Sequence, residues 1–302
     1  MLLFELLILD IRTAIRLRYA LLPYLIQLFD AVARGDRSRP ATILRPVWFH
    51  WPTLKDTLDI DDQFLWGEAV MIAPVVHEAA RDRLVYFPPG EWFRVQPVNS
   101  EELKPLEIEP EPYPKEPTKR QERVPVPLNT TAVFLRSGYV VPYQQPRMTT
   151  YATRRTSYGL LCALNERGRA YGRLYVDDGV SLHSKGVFIE FAVSVKQINN
   201  SVLFKMRRIS HNLSHSQQDA MPRTNLNRIV LASQRLKISE VTTVNAAQTM
   251  TSNQLGSNTL NEMFISDMNV ISKTNDRLVV DVLLTTSINL ITATRVELNW
   301  SV

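Results

Sequence analysis

The stretch Arg18-Tyr-Ala-Leu-Leu-Pro-Tyr24 lies inside a run of apolar residues that recur at three- and four-residue steps. The members of this run are Ile11, Ala14, Ile15, Leu22, Leu25, Ile26 and Phe29. Such spacing collects apolar side chains on one face and predicts an amphipathic helix. Pro23 removes a backbone donor and clashes with the preceding turn, so we expect a kink there. Gly35 marks the predicted end of the helix.

Beyond this helix the sequence changes to β-type patterns. Residues 42–51 are rich in Ile, Leu, Val and aromatic residues and end at Pro52, which predicts one strand. From Phe64 onward, short apolar runs are separated by turns such as Pro88-Pro-Gly90, a pattern that favours β-sandwiches. Residues 94–127 are dense in Pro, Glu and Lys, so we expect an exposed, partly disordered loop there.

Composition excludes several classes of function. At roughly 150 residues per domain, 302 residues suggest two domains and a fragment of a third. The 35 basic and 30 acidic residues are scattered without a Lys/Arg stripe, so no nucleic-acid partner is predicted. No stretch reaches the roughly 20 apolar residues that span a bilayer, and the apolar N-terminus lacks the basic flank and cleavage site of a signal peptide.

Redox and metal chemistry receive no support from the sequence. The single cysteine, Cys162, lies in an apolar run and is predicted to be a buried core residue. The five histidines include one pair four residues apart, His211 and His215, but this pair has no carboxylate neighbour, so neither a metal nor a cofactor is predicted. Four sequons favour a secretory route and make their asparagines candidates for N-glycosylation; these are Asn129, Asn199, Asn212 and Asn299.

Eight short motifs follow one another along the chain. They are Arg18-Tyr-Ala-Leu-Leu-Pro-Tyr24, Arg45-Pro-Val-Trp-Phe49, Asp61-Asp-Gln-Phe-Leu-Trp-Gly67, Ala73-Pro-Val75, Tyr86-Phe-Pro-Pro-Gly-Glu-Trp92, Phe134-Leu-Arg136, Gly159-Leu-Leu-Cys-Ala-Leu164 and Leu174-Tyr-Val-Asp-Asp-Gly179. In this order they resemble glycoside hydrolase family 31, whose animal members are mostly α-glucosidases. The resemblance runs from about Ile11 to Glu190, and the closing Asn-Trp-Ser pattern is similar to the end of lysosomal and intestinal α-glucosidases.

The resemblance implies a mainly β fold with two C-terminal β-sandwich domains after the last helix–strand unit of a (β/α)₈ barrel. A whole barrel needs roughly 200–250 residues, and only about 60 precede the first sandwich motif. The expected domains are 1–62 for the barrel remnant, 63–147 for a proximal sandwich with the exposed loop 94–127, and 148–302 for a distal sandwich. The helix face bearing Ile15, Leu22, Leu25 and Phe29 is expected to pack on the barrel.

The family's catalytic segments have no counterpart in this sequence. A retaining glycosidase needs two carboxyl groups about 5–5.5 Å apart. The resemblance implies that the nucleophile lies in a Trp-x-Asp-Met-Asn-Glu segment upstream of the Arg18 motif, with the acid/base Asp also upstream. Ser266-Asp-Met-Asn269 echoes part of that segment but follows the barrel motifs, so we interpret it as a chance match. No catalytic residue is predicted.

Two other sets of residues are functional candidates. Asp177 and Asp178 are adjacent, so their side chains point to opposite faces of a strand, and a turn-forming role is preferred. His50 and Trp51 lie near the end of the predicted last barrel strand, where ligand contacts concentrate, and are weak candidates for substrate binding. Packing is the alternative interpretation for both aromatic side chains.

Two functions from different classes remain open. The first is the C-terminal part of a retaining α-glucosidase-type glycosidase that acts on an α-glucoside, the chain itself being inactive. The second is a non-catalytic β-sandwich protein that binds carbohydrate or a partner. A secreted or lysosomal location is expected for the enzyme implied by the resemblance.

Overall fold

The computed structural model describes residues 2–34, 42–96, 106–116, 118–128, 130–180, 186–196, 201–209, 221, 225–233, 265–274, 277–289 and 295–301. Within them lie the helices α1 (Leu2–Ala20), α2 (Leu22–Ala33) and α3 (Thr150–Thr153). The strands are β1 (Leu44–Pro46), β2 (Phe64–Trp66), β3 (Val70–Ala73), β4 (Asp82–Tyr86), β5 (Trp92–Gln96), β6 (Glu107–Tyr113), β7 (Gln121–Pro125), β8 (Ala132–Arg136), β9 (Tyr139–Gln144), β10 (Tyr158–Ala163), β11 (Arg169–Val176), β12 (Val187–Lys196), β13 (Ser201–Arg208), β14 (Asn225–Ser233), β15 (Ile265–Thr274), β16 (Arg277–Asn289) and β17 (Arg295–Ser301). The predicted mainly β class is confirmed.

The predicted kink at Pro23 is present as a break between α1 and α2. Leu21 separates the two helices, and Pro23 lies in the first turn of α2, where its missing amide hydrogen costs no helical hydrogen bond. Helical hydrogen bonding continues across the break, because Leu21 N donates to Leu17 O at 3.2 Å and Leu25 N donates to Leu21 O at 3.1 Å. The predicted stop at Gly35 lies outside the described residues.

The helices bury one face against both large sheets. The buried helical residues are Leu17, Ala20, Leu21, Tyr24, Leu25 and Leu28, and they share one apolar cluster with strand residues such as Val70, Leu161 and Val230. The helix residues expected to pack on a barrel therefore do not share one environment. Leu25 packs on these sheets, whereas Ile15 and Phe29 are 50% and 60% exposed. The helical segment from Leu17 to Leu28 thus packs against the β region.

The first sheet has six strands in the order β1-β2-β3-β8-β5-β6. The strand predicted over residues 42–51 is wrong in length, since β1 ends at Pro46 and a 3₁₀ turn, Val47–Phe49, follows. Pro46 fixes its own φ and has no N–H for the sheet, which limits pairing at that point. Because β1 pairs antiparallel with β2, the strand joins this sheet directly. Whether residues 1–62 are a barrel remnant stays a prediction.

The exposed loop predicted over residues 94–127 is wrong in its described part. β6 pairs antiparallel with β5, and β7 pairs antiparallel with β4 in a separate two-stranded sheet. The segment contains few apolar residues, but they alternate and are buried; they are Leu106, Ile108, Tyr113, Val124 and Val126. Its charges find partners across the sheet, as Arg94 Nε lies 3.8 Å from Glu109 Oε1. A proline-rich, charged composition was therefore compatible with strands here.

The second sheet has nine strands in the order β15-β16-β14-β10-β9-β11-β12-β13-β17. Every residue of β10 is buried, because alternate side chains enter two different cores. Leu161 joins the helix-facing cluster, whereas Leu160 and Cys162 pack with Phe191 and Phe204 in a core belonging to this sheet. Cys162 is buried as predicted, and burial raises the pKa of its thiol.

The position of β9 bears on the predicted domain division. β9 pairs antiparallel with β10 along its whole length, so residues 139–144 belong to the second sheet. The division into 63–147 and 148–302 stays a prediction, and this pairing favours a boundary before Tyr139 over one after residue 147. The turn-forming role predicted for Asp178 is consistent with a bend after β11, where Gly179 has φ +73° and Asp178 Oδ1 accepts a hydrogen bond from Val180 N at 3.1 Å. The connection to β12 extends to Val187, so it is longer than a tight turn.

Tyr24 connects α2 to the turn between β2 and β3. Its buried hydroxyl donates to Trp66 O at 2.8 Å and accepts from Ala69 N at 3.2 Å. Burial raises the pKa of this hydroxyl far above its usual value, so it remains a donor at every physiological pH. Between these two contacts lies Gly67, whose φ of +59° suits glycine.

We predict that Tyr24→Phe lowers the free energy of unfolding by about 1–3 kcal/mol, because the buried Ala69 N–H and Trp66 carbonyl lose their partner. The matched control is Tyr19→Phe, on a half-buried residue of α1, which should change stability by less than about 0.5 kcal/mol. Urea unfolding followed by circular dichroism measures both values. Equal stability of Tyr24→Phe and the wild-type chain would contradict the connecting role.

Candidate functional site

His50, the first predicted candidate, is held by the fold at the end of the 3₁₀ turn after β1. Its Nε2 lies 3.0 Å from Gly67 O and 3.2 Å from Arg45 Nη1. The neutral ring at Nε2 can donate to the carbonyl or accept from the guanidinium, according to its tautomer. Burial lowers the pKa of His50, and the positive charge of Arg45 lowers it further against the raising effect of the Gly67 contact.

Trp51, the second candidate, packs against a core. Its ring centroid is 6.2 Å from that of the buried Trp92, and the Arg136 guanidinium lies 4.6 Å over the Trp51 ring. Such a cation–π contact contributes about 0.5–2 kcal/mol and orients both side chains. A substrate contact by His50 or Trp51 stays a prediction, and neither residue lines the pocket described next.

A pocket of about 320 Å³ lies between α2, the β2–β3 turn and the strands β9 and β11. Its described lining residues are Tyr24, Gln27, Leu28, Arg45, Glu68, Ala69, Gly138, Tyr139, Val140, Tyr171, Gly172 and Arg173. We call this the helix–sheet pocket. Its volume falls at the lower end of the range of small-molecule sites, and it combines aromatic, neutral polar and charged groups.

One side of the helix–sheet pocket is organised around Glu68. Arg45 Nη1 lies 3.7 Å from Glu68 Oε1, and the Tyr139 hydroxyl donates to Glu68 Oε2 at 3.2 Å. Arg45 is itself anchored because its Nε donates to Thr42 O at 2.8 Å. Both carboxylate oxygens of Glu68 therefore already have partners within the protein.

The other side is organised around Glu190 of β12, next to the pocket. The Tyr171 hydroxyl donates to Glu190 Oε1 at 2.6 Å, and Arg173 Nη2 lies 3.1 Å from the same oxygen. Arg207 Nη2 donates to Oε2 at 2.8 Å. Burial opposes ionisation of Glu190, but the hydrogen bonds from Tyr171 and Arg207 and the charge of Arg173 outweigh it, so its pKa lies below the usual value. Glu190 is thus ionised, and it fixes the position of the Tyr171 side chain that lines the pocket.

Gln27 gives the helix–sheet pocket an acceptor without a partner. Its side chain is 9% exposed, and its Oε1 is buried with no hydrogen-bond partner among the described residues. A buried carbonyl oxygen in this state costs free energy and can accept from a ligand hydroxyl. Sequence reasoning missed this residue, although a glutamine three positions after Tyr24 on the buried helix face was an available signal.

The remaining sequence candidates lie elsewhere. Asp177 forms an ion pair with Arg154, and Asp267 lies on β15, an edge strand of the second sheet. Asn129, Asn199 and Asn212 fall outside the described residues; Asn299 lies on β17 opposite Leu203. N-glycosylation stays a prediction at all four asparagines.

The described ranges contain neither a metal-binding cluster nor a membrane-spanning helix. Nowhere in them do three His, Cys, Asp or Glu side chains come together as a metal site would require. None of the described helices combines the length and apolar character needed to cross a membrane.

We predict that His50 makes stability dependent on pH. The unfolded histidine takes up a proton near its usual pKa of 6.5, whereas the folded one, with its lowered pKa, resists protonation. The free energy of unfolding should therefore fall as the pH drops from about 7.5 to about 5, and it should fall less in His50→Gln. The exposed residue in His77→Gln provides the control, and an identical pH profile for His50→Gln and the wild-type chain would contradict the assignment.

Part of the chain matches a known protein family. Residues 40–141 match the model of the glycosyl hydrolase family 31 C-terminal domain. The chain is 36% identical to mouse lysosomal alpha-glucosidase over 211 residues, which is 66% of this chain and 21% of that protein. It is 37% identical to barley alpha-glucosidase over 171 residues, 56% of this chain and 18% of the relative. The chain thus spans about a fifth of the length of these curated relatives.

Solved structures show the same fold. The glucosidase II alpha subunit matches with a TM-score of 0.69 at 18% identity, over 97% of this chain and 29% of that one. The Flavobacterium johnsoniae family 31 dextranase matches with a TM-score of 0.63 at 18% identity, over 97% and 32%. The agreement of ordered motifs, family model, relatives and fold leads to one assignment. The C-terminal domain of glycoside hydrolase family 31 is present over residues 40–141, and the chain resembles the C-terminal part of α-glucosidase-like members of that family.

Proposed function

We propose that this chain provides the non-catalytic C-terminal part of a retaining glycosidase that cleaves α-linked glucose. The proposal draws its substrate class from the names of the relatives, which include alpha-glucosidases of mouse and barley. In this proposal the catalytic carboxylates belong to a barrel outside the present sequence. The chain contributes the support against which that barrel packs.

The distribution of carboxylates carries the proposal. Retaining hydrolysis needs a nucleophile and an acid/base about 5–5.5 Å apart across an open site. Glu68 is the only carboxylate among the described residues that line the helix–sheet pocket, and its two oxygens are engaged by Arg45 and Tyr139. Glu190, which lies nearby, is held ionised by its partners and is unsuited to donate a proton to a leaving group.

The outer surface of the helices supports a packing role. Ile11, Ile15 and Phe29 are 51%, 50% and 60% exposed, on helices whose other face is buried against the sheets. Trp48 of the 3₁₀ turn is also exposed. Ile11 and Ile15 lie one turn apart on α1, so they form one exposed apolar strip, and burying it against another domain would be stabilising.

We predict that the purified chain releases no 4-nitrophenol from 4-nitrophenyl α-D-glucopyranoside above the rate in buffer. Glu68→Gln and Asp267→Asn variants, purified alongside, should give the same background rate, because the proposal places the catalytic carboxylates outside the present sequence. A rate that survives repurification and is abolished by either substitution would overturn the proposal and assign that residue a catalytic role.

A second candidate function is carbohydrate binding without hydrolysis. The helix–sheet pocket favours it, since Tyr139 and Tyr171 provide aromatic rings and Gln27 presents an unpartnered acceptor. Aromatic faces pack on the apolar faces of sugars, while neutral and charged polar groups bind hydroxyls. This function is compatible with the first, since a supporting module can also retain substrate.

For this second function we predict that maltose binds the full chain saturably in isothermal titration calorimetry. Tyr171→Ala should weaken binding at least about tenfold, or about 1.4 kcal/mol, because it removes one aromatic wall. Tyr151→Ala, at an exposed residue outside the pocket, should bind like the wild-type chain. Absence of saturable binding, or equal weakening in both variants, would exclude the pocket as a sugar site and leave the first function untouched.

A further inference from the structure

A second pocket, of about 450 Å³, lies where β9, β10 and β14 meet the α3 segment. Its described lining residues are Tyr143, Gln145, Arg147, Arg155, Thr156, Ser157, Gly159, Asn225, Asn227 and Arg228. Three of them are arginines and none is a carboxylate, whereas Glu68 balances the charge of Arg45 in the helix–sheet pocket. We call it the arginine pocket.

The floor of the arginine pocket is built by three residues in register on adjacent strands. Gly159 of β10 pairs with Tyr143 on one side and with Arg228 on the other. A Cβ atom at Gly159 would come within 2.4 Å of the Tyr143 ring, so only glycine lets this ring lie across the strand. The Tyr143 hydroxyl is then 3.2 Å from Arg228 Nη1. Arg228 is only 7% exposed, so a guanidinium is held almost buried beside the cavity.

A β-bulge shapes the adjoining wall. Tyr158 pairs with Leu226 and Gly159 with Arg228, so Asn227 is an extra residue in β14. The pairing of β14 with β16 is also irregular between Leu226 and Arg228. Bulges re-aim side chains and occur next to binding sites, and here Asn227 lines the pocket.

The rim carries two exposed arginines. The Arg155 guanidinium lies 3.5 Å from the Tyr151 ring centroid, and its Nη1 donates to Tyr151 O at 3.3 Å. Arg154, its neighbour in sequence, is ion-paired with Asp177, but Arg147 and Arg155 form no ion pair with any carboxylate of the described residues. The positive charge of this rim is therefore available to a ligand.

We propose that the arginine pocket binds a tetrahedral oxyanion, a phosphate or sulfate group. Guanidinium groups donate two parallel hydrogen bonds to such oxygens, and hydroxyl and amide donors satisfy the remaining lone pairs. Thr156, Ser157 and Asn227 supply these additional groups around the arginines. The cavity is large enough for a small organic molecule, so the oxyanion is either free or an ester on a sugar-sized body.

The test is isothermal titration calorimetry of the full chain with inorganic phosphate, at constant ionic strength balanced with chloride. The wild-type chain should bind saturably, and the double variant Arg147→Gln/Arg155→Gln should bind at least about tenfold more weakly. Both substituted residues are exposed on the rim, so the melting temperature without ligand should be unchanged. Arg167→Gln, an exposed arginine in the turn between β10 and β11, is the charge-matched control and should bind as the wild-type chain does.

Three further ligands distinguish the source of the oxyanion. Inorganic sulfate should also bind, because the recognition is of a tetrahedral anion. Glucose 6-phosphate binding more tightly than phosphate identifies an ester ligand, and equal binding identifies the free ion; either supports the proposal. Phosphate that does not saturate, glucose that binds as well as glucose 6-phosphate, or a double variant that binds like Arg167→Gln would overturn it.

Discussion

The hydroxyl group of Tyr24 is the contact on which the arrangement of helix, sheet and pocket depends. It joins α2 to both sides of the β2–β3 turn through Trp66 O and Ala69 N. The turn it holds contains Gly67, where a Cβ would come within 2.6 Å of that hydroxyl. The carbonyl oxygen of Gly67 lies within hydrogen-bond distance of His50 Nε2, and Glu68 is the next residue in the chain. One buried polar contact therefore positions the first helices, the end of β1 and the wall of the helix–sheet pocket.

Buried arginines impose a second constraint. Arg45, Arg83, Arg94 and Arg228 are each less than 9% exposed, and a buried guanidinium is stable only when carbonyls, hydroxyls or carboxylates surround it. Arg83 Nη2 lies 2.7 Å from Asp62 Oδ2, which connects β4 to the segment preceding β2. Arg94 and Glu109 pair across β5 and β6 in the same way. These ion pairs favour the observed strand neighbours, since a buried guanidinium that lost its carboxylate would be destabilised.

The two pockets present opposite chemistry within one chain. The described lining of the helix–sheet pocket contains Glu68 together with Arg45 and Arg173 and offers tyrosine rings, whereas the arginine pocket has a positive, donor-rich lining. The first lies beside the helices, on which Ile15 and Phe29 are exposed, and the second lies against the neighbouring strands β9, β10 and β14 in the middle of the nine-stranded sheet. Under our proposals, the exposed face of the helices packs on a barrel and the two pockets bind ligands.

The sequence by itself determined the family, the mainly β class, the helix break at Pro23 and the buried state of Cys162. These features depend on local backbone geometry, periodicity or an ordered set of motifs, all of which can be recognised in a linear chain. Only the tertiary structure decided the extent of β1, the strands within 94–127 and the membership of β9 in the second sheet. Strand pairing depends on partners distant in sequence, and the few apolar residues of 94–127 gained their burial from such partners. The tertiary structure also created both pockets. Gln27, Glu68 and Tyr171 of the helix–sheet pocket come from separate segments of the chain that only folding brings together. The same is true of Tyr143, Gly159 and Arg228 in the arginine pocket.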